Sequence, residues 1–120
     1  MANIQDSLAN LMTIDGCVAA ALVDANSGLV LGKAGSGIDL DLAGAGNTEV
    51  VRAKMKTMKS LGLKGEAIED ILITLTSQYH IIRPMKAREG LFIYVVLLKD
   101  RANLALARMK TADVEKDLSV

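Results

Sequence analysis

The sequence predicts one α+β domain, residues 1–120, in which three helices pack against a five-stranded antiparallel sheet. Two runs, residues 17–23 and 91–98, are apolar without alternation, as strands buried on both faces are. The links between neighbouring strands are short, which makes those strands antiparallel. Apolar residues also recur at three- and four-residue spacing before the first strand and between the second and third strands, which is typical of helices.

The chain begins with a predicted helix and a hairpin. Residues 4–13 show the spacing of an amphipathic helix, and residues 17–23 form the first strand. Turn residues at 24–28 lead into a shorter second strand at 29–31. We expect these two strands to pair directly.

A long second helix follows a flexible connection at residues 35–37. Either Asp39 or Asp41 caps its first turn, because both carboxylates can accept from free backbone N–H groups there. The helix runs to Leu61 and ends at Gly62, the usual left-handed terminator.

The second half of the chain predicts a three-stranded meander and a last helix. The strands cover residues 69–76, 79–85 and 91–98, and turn residues separate them. Asp100 is a plausible cap for a helix over residues 101–118.

The strand order follows if the two most apolar strands are the most buried. The first and fifth strands then lie together in the middle, which gives the order 2-1-5-4-3 and leaves the third strand at an edge. That strand carries the alternating apolar residues Ile71, Ile73 and Leu75. An exposed apolar edge invites pairing with another chain, so we expect a homodimer joined there. Glu69 and Asp70 argue against this, because edge charges often prevent such pairing.

Composition excludes several classes of protein. The formal net charge is zero, with fourteen residues of each sign, so the field that attracts nucleic acid is absent. Tyr79, Phe92 and Tyr94 are the only aromatic residues and make a poor stacking platform for single strands. No apolar run is long enough to span a bilayer, and the first residues lack the features of a signal peptide. With one cysteine, Cys17, we expect a cytoplasmic protein.

Phosphate-binding loops are not predicted. The P-loop pattern needs two glycines separated by four residues, then Lys and a hydroxyl residue. Here Gly28 and Gly32 are too close in sequence, and Ala34 follows Lys33. Residues 35–40 also fail the dinucleotide pattern at its last position.

Catalytic and metal sites are not predicted either, and we expect no cofactor. The chain has one histidine and one cysteine, which leaves no second soft ligand for zinc. We interpret His80 as a structural or surface residue and Cys17 as apolar filler at the start of a strand. Asp15 and Asp24 are expected to fix turns.

The second helix carries a basic stripe. Arg52, Lys56 and Lys59 lie on one face at i, i+4 and i+7. Three interpretations remain open: a solvated surface, a contact for an acidic protein partner, or a contact for an anionic membrane. We name these three residues as candidate partner-binding residues.

Two glycines in the same helix need an explanation, because each costs about 1 kcal/mol relative to Ala in a helix interior. Gly44 and Gly46 allow close approach of another backbone, as at a dimer axis. Alternatively the helix begins late, near Asn47. We name Gly46, with Ile71, Ile73 and Leu75, as candidate dimer-interface residues.

In the last helix, Asn103 is predicted to hydrogen-bond near the first turn, with Leu104 and Ala107 facing the sheet. Arg108 is expected to pair with a carboxylate or reach a carbonyl. Both polar residues are more often used to stabilise a fold than to contact a partner.

Three segments together resemble the Roadblock/dynein light-chain family, in particular its prokaryotic MglB-like members. They are residues 11–24, with Ile-Asp-Gly before the first strand, residues 27–31, and residues 103–108, with Asn-Leu-x-x-x-Arg. The resemblance covers nearly the whole chain. It implies a Roadblock/profilin-like three-layer α/β/α sandwich that dimerises through its edge strand, with the long second helices side by side.

The resemblance also implies a function. Members regulate or scaffold small Ras-like GTPases, or act as subunits of larger assemblies, and MglB-type proteins supply no catalytic residue. We therefore expect a non-enzymatic homodimer that binds a Ras-like GTPase and modulates its nucleotide cycle. The alternative is a structural scaffold with no effect on nucleotide turnover.

Overall fold

The computed structural model describes residues 1–120 and contains three helices and five strands. In chain order they are α1 (Ile4–Met12), β1 (Cys17–Asp24), β2 (Val30–Gly35), α2 (Leu40–Ser60), β3 (Ile71–Thr74), β4 (Gln78–Pro84), β5 (Leu91–Leu98) and α3 (Leu104–Asp117). This is the predicted order of elements.

The sheet is antiparallel throughout, in the order β2-β1-β5-β4-β3. β1 and β5 lie in the middle, and their apolar residues are buried on both faces. The predicted strand order is confirmed. The two strands without polar alternation occupy the two central positions of the sheet, where both faces of a strand are buried.

Each helix begins at a side chain that accepts a backbone hydrogen bond. Asn3 Oδ1 accepts from the N–H of Asp6, and Asp39 Oδ1 accepts from Leu42. Asn103 Oδ1 accepts from Leu106, so α3 begins at Leu104. The prediction of Asp100 as cap and Arg101 as first residue was wrong, since Asn103 supplies the cap one turn later.

Two edge strands differ in length from the prediction. β2 spans six residues rather than three, and β3 spans four rather than eight. β2 extends because Gly35, at φ +89°, lies so close to β1 that an added Cβ would be 2.1 Å from the oxygen of Val18. β3 stops early because the N–H of Leu75 donates to the oxygen of Gln78 and closes the turn.

The outer edge of β2 is irregular. The register against β1 shifts between Leu22 and Val23, which leaves Leu31 without a partner in a β-bulge. Next to it, an added Cβ on Gly32 would lie 2.6 Å from Cγ2 of Ile4, so α1 lies directly against β2. Bulges of this kind twist an edge and interrupt its pairing surface.

Helices cover both faces of the sheet, which gives three layers. α1 and α3 cover one face, with a core that includes Leu11, Ile93 and Ala107. α2 alone covers the other face, where Val51 and Phe92 belong to a smaller core. The second face therefore has less of its own chain packed on it than the first.

One buried ion pair ties α3 to β4. Nε of Arg83 donates to Oε1 of Glu115 at 2.9 Å, and the side chains are only 9% and 3% exposed. The N–H of Lys86 donates to the other carboxylate oxygen of Glu115 at 3.3 Å.

None of the three helices combines the length and apolar character needed to cross a bilayer.

Candidate functional site: the open sheet edge and the exposed helix

The edge strand β3 places its apolar residues on the α2 side of the sheet. Ile71 lies opposite Ile82 of β4, and Ile73 lies opposite His80. Both isoleucines are half-buried against the core beneath α2. Leu75 lies past the end of β3 in the turn and is 42% exposed. Two of the three predicted edge residues thus share a strand face, and the third is in the adjoining turn.

The acidic residues before β3 do not form a charged barrier at the edge. Arg108 of α3 donates two hydrogen bonds to the carboxylate of Asp70, at 2.9 and 2.8 Å. The hydrogen bond and charge of Asp70 raise the pKa of Arg108 above its usual value. Only Glu69 remains exposed without a partner. The carboxylate of Asp70 therefore anchors the edge strand to α3.

Most of α2 is exposed to solvent. Its buried residues are Leu40, Gly44, Thr48 and Val51, all on one face. Beyond Val51 no residue of the helix is buried. A helix whose outer faces are this open either stays solvated or binds a partner.

The two glycines of α2 have different surroundings. An added Cβ on Gly44 would lie 2.6 Å from Cγ2 of Val30, so Gly44 lets the helix approach its own sheet. An added Cβ on Gly46 would meet nothing within 4 Å. Since α2 begins at Leu40, the alternative of a helix that begins near Asn47 was wrong. Gly46 therefore has no role in packing within the chain.

A second exposed stripe on α2, the small stripe, is built from small and apolar residues. Gly46, Val50, Ala53 and Thr57 follow one another at i, i+4, i+7 and i+11, and all are exposed. Thr57 donates its hydroxyl proton to the oxygen of Ala53 at 3.0 Å, so it presents little polarity outward.

The basic stripe lies on another face of α2. Arg52, Lys56 and Lys59 are exposed, and none forms an ion pair within the chain. Their charges are thus available to an anionic group from outside.

A polar chain lies under α2, near the edge. Nε2 of His80 donates to Oε1 of Gln78 at 2.8 Å, so Nδ1 of the neutral ring accepts from the hydroxyl of Tyr94 at 3.0 Å. Burial lowers the pKa of His80 and raises that of Tyr94, where the Asn47 amide opposes the rise. Both hydrogen-bond partners of His80 belong to the sheet, Gln78 in β4 and Tyr94 in β5.

The remaining candidate residues also have structural roles. Cys17 is half-buried beside Met12, and burial raises the pKa of its thiol to about 11, against a weaker opposing effect of a backbone hydrogen bond at Ala19. The carboxylate of Asp24 accepts from the N–H of Asn26 and the hydroxyl of Ser27, which fixes the turn as predicted. No three His, Cys, Asp or Glu residues come together as metal ligands.

The same architecture occurs in known structures. A Roadblock/LC7 domain from Streptomyces avermitilis superposes with a TM-score of 0.81 at 17% identity, over 97% of this chain and 94% of that one. The fold is that of Roadblock/LC7 domains. MglB of Myxococcus xanthus gives a TM-score of 0.82 at 17% identity, over 95% and 89% of the two chains.

A further MglB structure, with a tetrameric arrangement, gives a TM-score of 0.80 at 18% identity, over 95% of this chain and 83% of that one. No family model and no curated protein matches the chain by sequence. The Roadblock/LC7 likeness is therefore one of fold.

Proposed function

We propose that this protein forms a homodimer through β3 and α2, binds a small Ras-like GTPase, and modulates its nucleotide cycle without supplying a catalytic residue. The observation that carries the proposal is that an unpaired edge strand and a largely exposed long helix occur in one Roadblock/LC7 fold. Each has a surface that nothing in the chain covers.

The edge strand supplies only part of a dimer interface. β3 is four residues long, whereas a stable interface buries roughly 1,200–2,000 Å² in total. Under a two-fold axis β3 pairs with its own copy, which places Ile71 and Ile73 of both protomers on the same sheet face. The small stripe of α2 then has to provide most of the remaining area by packing against the same stripe of the partner.

Gly46 tests this arrangement. Gly46→Leu fills the open space with a bulky side chain, while Leu is a much better helix former than Gly, so the monomer stays folded. Lys56→Leu is the matched control, because it adds the same side chain to another face of α2. In sedimentation velocity, Gly46→Leu should weaken self-association by at least about tenfold, and Lys56→Leu should not. Unchanged dimerisation in Gly46→Leu removes α2 from the interface.

The basic stripe of α2 is the proposed contact for the GTPase. Its three cations have no partner within the chain and lie on a different face from the small stripe, so dimerisation leaves them accessible. An acidic surface on the GTPase would then be attracted to both protomers.

The functional test uses the small Ras-like GTPases encoded in the source genome. Single-turnover GTP hydrolysis and release of labelled GDP are measured with and without the protein. We expect one of the two rates to change by about tenfold or more, equivalent to about 1.4 kcal/mol in the barrier. Lys56→Glu should weaken the effect, whereas Lys110→Glu on α3 should not. Binding with both rates unaltered establishes a scaffold instead, and no binding to any of these GTPases contradicts the proposal.

A further inference from the structure

A groove separates the C-terminal half of α2 from the sheet. Met55 and Met58 continue the face of the helix that buries Gly44, Thr48 and Val51. Residues at those positions normally fill a core, yet Met55 is 52% exposed. The space beneath them is open to solvent and has a volume of about 730 Å³.

The groove is lined by four parts of the chain. They are α2, the segment after α2, the turn between β1 and β2, and the β4–β5 hairpin. Its apolar lining includes Met55, Met58, Leu63 and Ile68, together with the buried residues Met85 and Phe92. Three of the six methionines of the protein are among them. Methionine side chains are flexible and polarisable, which suits a surface that adapts to an apolar ligand.

The rim of the groove is basic. It carries the cations Arg52, Lys59, Lys64 and Lys86 and the anions Glu66 and Glu89. Four positive and two negative charges leave an excess of two positive charges. No ion pair within the chain involves any of these side chains. The whole protein has a formal net charge of zero, so the excess is local to this rim.

We propose that the groove binds an acidic amphipathic helix of a partner protein. The part of α2 that lines the groove, from Val51 to Lys59, is about 12 Å long at 1.5 Å per residue, which matches a helix of about two turns. Such a helix presents apolar side chains at i, i+3, i+4 and i+7 to a hydrophobic groove. Carboxylates on its flanks then lie beside Arg52 and Lys59, where opposite charges favour the correct orientation.

Charge disfavours a second copy of this chain as the occupant. The exposed apolar residues of the protein's own helices lie on α2 and α3. α2 would bring its basic stripe to a basic rim. The exposed face of α3 around Leu106 and Met109 carries Lys110 and Lys116 against Asp113 and Asp117, so it brings no net negative charge. A membrane surface is also disfavoured, because a flat bilayer does not enter a groove beneath a helix. The inference rests on the proposed function only in requiring a protein partner, and it does not require a GTPase.

The test uses the full chain and three synthetic helical peptides. The first has leucines at i, i+3, i+4 and i+7, glutamates on both flanks and one Trp. The second has Lys in place of every Glu, and the third has Ser in place of every Leu. The protein contains no Trp, so the peptide fluorescence reports binding directly. We expect the acidic peptide to bind at least about tenfold more tightly than either control peptide.

The methionines locate the bound peptide. In the protein labelled with ¹³C at the Met methyl groups, the acidic peptide should shift the signals of Met55, Met58 and Met85. Those of Met1, Met12 and Met109 lie outside the groove and should not move. Shifts confined to the second set overturn the proposal.

Matched variants separate the groove from general surface effects. Met55→Glu should weaken the acidic peptide at least about tenfold, whereas Met109→Glu, at a methionine of similar exposure (59%), should not. Lys59→Glu should weaken it, and Lys110→Glu should not. Equal losses in both members of either pair contradict the proposal.

Two further outcomes also overturn it. If the lysine peptide binds as tightly as the acidic one, the rim does not select charge. If the signals of Met55 and Met58 shift with protein concentration alone, a second protomer occupies the groove. The GTPase kinetics are measured separately, so either proposal can fail while the other stands.

Discussion

The buried ion pair between Arg83 and Glu115 allows a quantitative prediction. Glu115→Gln keeps the size of the side chain and one oxygen acceptor but removes the negative charge. The guanidinium of Arg83 then remains buried with a neutral partner, and the N–H of Lys86 faces an amide instead of a carboxylate. Because this pair joins α3 to β4, its loss weakens the packing of a whole helix layer.

The expected magnitude follows from the burial. Removing one partner of a buried pair costs about 3–5 kcal/mol. Arg83 retains 9% exposure, so we expect the lower end, about 3 kcal/mol. The unfolding entropy, about 2.1 cal/mol/K per residue, is about 0.25 kcal/mol/K for a chain of this length. The melting midpoint of Glu115→Gln should therefore fall by about 12 °C.

Thermal unfolding followed by circular dichroism measures this change. Asp41→Asn is the control, because it makes the same isosteric change in the exposed pair with Lys33, and its midpoint should stay close to that of the wild type. The double variant Arg83→Met/Glu115→Leu should recover at least about half of the loss, since no buried charge remains. Equal midpoints for Glu115→Gln and Asp41→Asn, or a double variant no better than Glu115→Gln, refute the reasoning.

Three further predictions concern single residues. Burial raises the pKa of Cys17 to about 11, so iodoacetamide should modify it far more slowly at pH 7 than a free thiol, and a rate equal to that of glutathione contradicts this. Gly35→Ala should lower the free energy of unfolding, measured in urea, by about 2 kcal/mol or more, because the added Cβ meets backbone at positive φ. Gly46→Ala should not lower it, since the space around Gly46 is open. Burial lowers the pKa of His80, so the unfolded chain binds more protons than the folded chain below about pH 6.5. Stability should therefore fall as the pH drops from about 7 to 5.5, and His80→Gln should flatten that decline; an equal slope in both proteins contradicts the assignment.

The strand order could be predicted from the sequence because the signal was unusually direct. β1 and β5 read as continuous apolar runs, and only the centre of the sheet buries both faces of a strand. The lengths of the edge strands could not be predicted, because they depend on contacts between distant residues. Gly35 extends β2 by approaching Val18, and the bond from Leu75 to Gln78 closes β3 early.

The candidate site was predicted in part. The basic stripe of Arg52, Lys56 and Lys59 follows from helical spacing alone, and in the structure all three side chains are exposed. The groove was missed because Met55 and Met58 have the spacing of core residues, and spacing does not reveal that a gap separates this part of the helix from the sheet. Local sequence patterns also could not identify Asp70 as the partner of Arg108, since the two residues are 38 positions apart in sequence.

The unequal borders of the sheet set a limit on growth of the proposed assembly. In the proposed dimer, β3 would pair with its own copy about a two-fold axis, and that contact would use the regular border of each protomer. The outermost strand on each side would then be β2. There the bulge at Leu31 and the close approach of α1 interrupt the surface on which another strand could pair. In the proposed dimer, addition of further copies by strand pairing would therefore end with the second protomer, and the assembly would be finite instead of a filament.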